Sequence, residues 1–322
     1  MQSTDVYHTT LRTTSLLGVA GENAKVKRRT LNINDAVGEE KVPGFEFKKR
    51  LPGILGLIRE QKPDLLFLVE ATQAEHINLL GFELSSMGFR VVFGEGNASP
   101  GCTANVIGFN STRFHLTHTE NIQLLSDDPQ VPGDQSMPNG WGANLFVARV
   151  LLCHNSKVAV PKRELLLGVT HFPIHAASGA ACTEALRLWL QIHDKQRYIV
   201  SGDLNTFHDK GGPDQIAKLR AVATVEGESS ICHATGRKVL STYFGFPHDK
   251  FKFDIDKFLD PLDYVIINPV FGMFDGPLFT DTRFIPSTSH NDDDIENASA
   301  EAPLLRYTSD HLPLFANLEV FL

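Results

Sequence analysis

"YIVSGDLNTFHD", residues 198–209, begins as an apolar run of strand length and stops in Gly-Asp-Leu-Asn instead of ordinary turn residues. If the chain stays extended to residue 205, Asp203 and Asn205 point to one face, because strand side chains alternate. A carboxylate beside a carboxamide pairs an anionic acceptor with a neutral donor, which suits a site that handles water and phosphate. The stretch therefore predicts a buried strand whose tip carries chemistry.

Other segments follow the same plan. Apolar runs of strand length recur at Leu65–Val69, Arg90–Phe93, Asn105–Phe109, Leu145–Leu152, Leu165–Val169, Tyr198–Val200, Tyr264–Ile267 and Leu312–Val320. Between them, Leu51, Ile54, Leu55 and Ile58 keep the 3.6-residue period of a helix, as do Ile77, Leu80 and Leu84, and Leu186, Trp189 and Leu190. Strands and helices interleave, as in α/β and α+β folds. No internal repeat or linker divides the chain, so the expected organisation is an N-terminal extension over 1–24 and one domain over 25–322. Long loops are expected near 124–141 and 274–308. The second holds the acidic run "SHNDDDIENASAE" (289–301), whose adjacent Asp292, Asp293 and Asp294 lack calcium-loop spacing and read as a solvated insertion.

The 322 residues are 42% hydrophobic and 21% charged, enough to bury a sizeable core. A net charge of −8 argues against tight, non-specific binding of duplex DNA without a local basic patch or a bound cation. The one basic cluster, Lys25-Val26-Lys27-Arg28-Arg29, reads as the solvated start of a strand. Cys102, Cys153, Cys182 and Cys232 are far apart and form no CxxC pair, so neither a disulfide framework nor a zinc site is signalled, and reduced thiols in a cytoplasmic protein are expected. No window approaches transmembrane length, and the N-terminus lacks the pattern of a secretory signal.

Six motifs carry chemistry. "RTLNIND" (29–35) offers Asn32 and Asn34; "PDLLFLVEAT" (63–72) ends an apolar run in Glu70; "ELLLGVTHFPIH" (164–175) ends another in His171. "SGDLN" (201–205) gives Asp203 and Asn205, "PLDYVIIN" (261–268) gives Asp263, and "SDHLPL" (309–314) gives Asp310 and His311. Singly, each has an ordinary reading as a strand-end carboxylate, a turn or a cap. Their order is what distinguishes them.

That order resembles the endonuclease/exonuclease/phosphatase superfamily of metal-dependent phosphoesterases, over most of the chain from Asn32 to His311. The resemblance implies a DNase I-like, four-layer α/β/β/α sandwich: two mostly antiparallel sheets face to face, helices outside, and a site where strand ends and loops gather. It implies Mg²⁺ or Mn²⁺ held by Glu70 with Asn32 and Asp310, since these hard ions use few carboxylates and keep several waters. A phosphodiester is anionic and repels hydroxide, so its hydrolysis needs charge neutralisation and an activated water. Asp203 is placed to activate that water, Asn205 to donate to a phosphate oxygen, and His171 to donate to a non-bridging oxygen. The resemblance assigns His311 as general base or as a phosphate-binding imidazolium, with Asp263 holding its ring.

Three departures narrow the reading. Family nucleases place a tyrosine between the strand-end Glu and Thr-His, and this chain has none there; Asn144 in "GWGANLFVARV" is the candidate in its place for contacting the phosphate. Asn34 stands where abasic-site endonucleases carry aspartate. The Trp-x-Asp-Arg pattern of inositol 5-phosphatases is missing around Asp263. "LSTYFGFPHDKF" (240–251) is similar to a segment of bacterial-type phosphodiesterases, and Trp141, Phe244 and Phe246 are candidates for an aromatic rim. The expected substrate is a phosphodiester in a nucleic acid or nucleotide. A sphingomyelinase-like lipid phosphodiesterase, or an inactive scaffold with the same fold, are the alternatives.

Overall fold

The computed structural model describes residues 10–16, 19–32, 47–71, 74–95, 104–125, 143–153, 164–228, 230–232, 238–239, 261–280 and 314–321. In chain order, β1 (Thr10–Leu16) and β2 (Val19–Asn32) lead to α1 (Phe47–Gln61), β3 (Leu65–Ala71), α2 (Ala74–Ser86), β4 (Phe89–Glu95) and β5 (Ala104–Asn110). Then come β6 (Phe114–Leu125), β7 (Ala143–Leu152), β8 (Glu164–His171), α3 (Ala176–Ile192), β9 (Tyr198–Asp203), α4 (Gly212–Arg220), β10 (Thr224–Glu226), β11 (Ser230–Cys232) and β12 (Lys238–Val239). The chain ends with β13 (Asp263–Ile267), β14 (Gly272–Phe274), β15 (Phe279–Thr280) and β16 (Leu314–Phe321).

Among the described residues these strands form two sheets. One runs β12-β11-β15-β16-β2-β3-β5-β4, with β1 on β2 and β14 on β16; the other runs β10-β13-β9-β8-β7-β6. The pairs β2–β3, β8–β9 and β11–β15 are parallel and the remainder antiparallel. Three apolar layers hold the stack together. Leu51, Ile54, Leu55 and Ile58 of α1 and Leu80 and Leu84 of α2 cover Leu66, Leu68 and Val106 on the outer face of the first sheet. Phe67, Val69, Ile107 and Phe109 meet Phe146, Ala148, Leu167, Val169, Ile199 and Val265 between the sheets. Leu186, Leu190, Ile216 and Leu219 of α3 and α4 cover Leu145, Val147, Val200 and Ile266 on the far side. Helix, sheet, sheet, helix is the four-layer order expected, and alternation along each strand assigns side chains to their layers.

Strand pairing begins at Thr10, so part of the stretch read as an N-terminal extension contributes β1 and the start of β2 to the first sheet. Residues 126–141 and 281–308 of the expected long loops lie outside the described residues. The described ends of those stretches carry strand: Leu124 and Leu125 close β6, and β15 falls within 274–308. Cys153 is an exposed free thiol; Cys182 lies on the buried face of α3, and burial pushes its thiol up to about 12, which leaves it inert. No helix among the described residues is long and apolar enough to cross a membrane.

Candidate active site

One rung of the six-stranded sheet carries three of the expected residues. His171, at the end of β8, is in register with Asp203 at the end of β9, and Asp203 is in register with Asp263 at the start of β13. Residues directly opposite on neighbouring strands share a face, here the face of Val169, Ile199 and Val265 that looks between the sheets. Asp263 opens its strand, whereas Asp203 closes one; the antiparallel pairing of β9 with β13 brings both to the same edge. All three are buried.

Glu70 comes from the other sheet by a different device. Leu66 and Leu68 face the helices while Leu65, Phe67 and Val69 face between the sheets, so strict alternation would send Glu70 to the helix side. A register shift between Leu68 and Ala71 sets Val69 and Glu70 together opposite Asn105 of β5. Glu70 has a φ of 61°, a left-handed conformation that costs a residue with a Cβ about 1–2 kcal/mol. The bulge turns its carboxylate inward, a common use of bulges beside active sites. Ala71 resumes the helix-facing side.

The outcome is a tight cluster. His171 Nε2 lies 3.6 Å from Glu70 Oε1 and 3.7 Å from Asp203 Oδ2, and the ligand atoms of the three residues lie within 4.8 Å of one another. Two carboxylates gathered in a largely buried cluster call for positive charge among them. A small hard cation meets that need: carboxylate oxygens and water suit Mg²⁺ and Mn²⁺, and imidazole is within the range of Mn²⁺. The donor set fits such an ion.

Asn205 reaches the cluster by a turn and not by strand alternation. β9 stops at Asp203, Asn205 has a φ of 46°, and its backbone N–H donates to Asp203 Oδ1 at 2.9 Å. This side-chain-to-backbone bond two residues on is the usual way aspartate closes a turn. It leaves Oδ2 on the His171 side. The Asn205 amide donates to Phe172 O at 2.7 Å and sits 3.1 Å from His171 Nε2, so it directs both its N–H groups at the Thr-His strand end. Gly202 is needed for the approach of β9 to β8, because a Cβ there would stand 1.7 Å from Thr170 O. Thr206 Oγ1 donates to Pro261 O at 2.9 Å and Leu204 N–H to Leu262 O at 2.7 Å, fastening the turn to the start of β13.

Asn144 lies at the start of β7, buried, and its carbonyl accepts from Thr170 Oγ1 at 3.0 Å and from Asn105 Nδ2 at 3.1 Å. Asn32 ends β2 in register with Val69, one residue before Glu70. Asp310 and His311 lie outside the described residues, as do Asn34, Trp141, Phe244 and Phe246. The strand that follows the Asp-His pair, β16, starts at Leu314 opposite Thr30, two residues from Asn32.

No family model and no curated protein matches the chain. Solved structures do match. The endonuclease/exonuclease/phosphatase from Bacteroides vulgatus superposes over 92% of this chain and 99% of its own, with a TM-score of 0.64 at 12% identity. The fold is that of the endonuclease/exonuclease/phosphatase superfamily. The human Nocturnin catalytic domain, solved with bound sulfate, matches over 92% of this chain and 94% of its own, with a TM-score of 0.58 at 18% identity. D. rerio TDP2, solved with a single-strand DNA product, matches over 91% and 98%, with a TM-score of 0.56 at 16% identity. On this superfamily scaffold the residue that sequence reasoning passed over is Asn105. Its signal was present: it is the polar member of the inward-facing series Asn105, Ile107 and Phe109 on β5.

Proposed function

We propose that the chain is a Mg²⁺- or Mn²⁺-dependent phosphodiesterase that hydrolyses a phosphodiester in a nucleic acid or nucleotide. The observation that carries this reading is the convergence of Glu70, His171 and Asp203 within 4.8 Å, two carboxylates and an imidazole from both sheets of a phosphoesterase fold. The single-strand DNA product held by D. rerio TDP2 supports the nucleic-acid substrate. A cytoplasmic location is in keeping with the wide sequence spacing of the four cysteines.

Glu70, with Asn32 and Asp310, would hold the divalent ion, which would supply charge neutralisation for the phosphoryl oxygens. Asp203 orients the attacking water through Oδ2 and takes its proton, while Oδ1 holds the turn. Asn205 fixes the His171 ring in place. Donation from His171 to a non-bridging oxygen requires a proton on Nε2, at which point Asn205 yields to the substrate as the ring's partner. Asn144 offers its side chain as a phosphate contact at the inter-sheet edge. Asp263 orients the His311 imidazole, which serves as the second acid–base group.

The test is turnover of a chromogenic phosphodiester, followed by a panel of single-stranded RNA, single-stranded DNA and sphingomyelin. Hydrolysis with Mg²⁺ or Mn²⁺, abolished by EDTA and restored by excess Mg²⁺, is expected, with the nucleic acids cleaved faster than the lipid. Hydrolysis indifferent to EDTA, or none on any substrate, would overturn the reading.

A further inference from the structure

Asn105 sits at the point where the two halves of the site are joined. On its own sheet it stands opposite Val69 and Glu70, the two residues of the bulge, and on its other side it pairs with Gly94 of β4. Across the sandwich its Nδ2 donates to the carbonyl oxygen of Asn144 on β7 at 3.1 Å. The same carbonyl accepts from Thr170 Oγ1 at 3.0 Å, and Thr170 immediately precedes His171. One short path therefore runs from the Glu70 bulge through Asn105 and the Asn144 carbonyl to the strand end that carries His171.

Facing sheets ordinarily stack about 10 Å apart, too far for one short side chain to reach a backbone atom of the opposite sheet unless they draw together. They do so here. Gly94 leaves room for Phe146 of β7: a Cβ on Gly94 would stand 2.0 Å from the Phe146 ring. Asn105 is 1% exposed, so its bond to the Asn144 carbonyl is made in a low-dielectric layer where an amide left unmatched is costly. The bulge opposite it holds a left-handed glutamate that persists only while its surroundings over-determine it.

We infer that Asn105 is a positioning residue: its amide staples the sheet bearing Glu70 to the sheet bearing His171 and Asp203, and holds the bulge in the conformation that turns Glu70 inward. In this role Asn105 acts through Glu70, by holding the bulge opposite it. The inference rests on the proposed function for its catalytic consequence, but the staple is a property of the metal-free protein and is tested there.

The experiment compares wild type, Asn105→Ala and Asn105→Asp, the last keeping the shape but placing an acceptor against the Asn144 carbonyl. Amide hydrogen exchange is measured first, without metal. Both variants should exchange at least about tenfold faster at residues 69–71 and 144–146, with exchange at the far ends of β3 and β7 unchanged. Uniform acceleration along both strands, or none, would overturn the staple whether or not the protein is an enzyme. Mg²⁺ binding is measured next, as the concentration at half-maximal rise of the unfolding midpoint. It should increase about tenfold in both variants; an unchanged Mg²⁺ midpoint beside a lowered metal-free stability would reduce Asn105 to a structural residue and overturn its positioning role. A wild-type protein with no Mg²⁺ response that still shows the localised exchange would contradict the proposed function and leave the staple standing.

Discussion

Asp203→Asn is expected to lower kcat by about 10³-fold or more, the scale of losing a positioned general base, while moving the unfolding midpoint very little. The separation follows from how the two oxygens of Asp203 are used. Oδ1 accepts the Asn205 N–H and closes the turn after β9, a task that the carbonyl of an asparagine side chain performs equally well. Oδ2 faces His171 Nε2 at 3.7 Å and is the oxygen proposed to orient the attacking water. Asparagine keeps the first function and loses the second. Asp203→Ala would lose both, leaving the Asn205 N–H unmatched at a further cost of about 1–3 kcal/mol, so the asparagine variant is the cleaner comparison. Parallel measurement of turnover and thermal unfolding checks it; equal losses in both would count against Asp203 as a catalytic group.

Glu70→Gln is expected to abolish the stabilisation that Mg²⁺ gives the wild type. A ligand at 100 times its Kd stabilises the native state by about 2.7 kcal/mol, roughly 4 °C for a chain of this size. Glutamine removes the charge that holds the ion and keeps the volume in the bulge. Without metal the variant should be at least as stable as wild type, because the Glu70 and Asp203 carboxylates, both within 4 Å of one imidazole nitrogen, repel each other. Differential scanning calorimetry with EDTA and with Mg²⁺ separates the two effects. A Glu70→Gln protein that keeps the full Mg²⁺ shift would remove Glu70 from the metal site.

The layers were legible in the sequence because burial in a sandwich leaves a periodic signature. The inward series of β8 and β9 run into His171 and Asp203, and the helical spacings of α1, α2 and α3 match the faces those helices bury. Where a strand has one side at the edge of a sheet, the signature fades. β6 is the outer strand of its sheet, and its "FHLTHTENIQLL" is too polar to stand out. α4 is nine residues long, opens on Gly-Pro and buries only a narrow stripe, so its period is brief. At the site itself, alternation was the wrong guide twice. It would turn Glu70 toward the helices, and it would keep Asn205 extended beside Asp203; a bulge and a turn with left-handed backbone bring both in. Neither is encoded by glycine, so no residue type announced them. Both depend on partners distant in sequence, Asn105 for the bulge and the β8 and β13 strand ends for the turn.

Glu70 is proposed to hold a divalent ion beside Asp203 and His171. The most direct test is a crystal structure grown with Mn²⁺, with diffraction data that locate the metal by its anomalous signal. An Mn²⁺ peak at about 2.1–2.3 Å from a Glu70 carboxylate oxygen, in the space bounded by Asp203 and His171, is the expected result. A fully ordered site with no such peak, or Mn²⁺ bound away from Glu70, would contradict it.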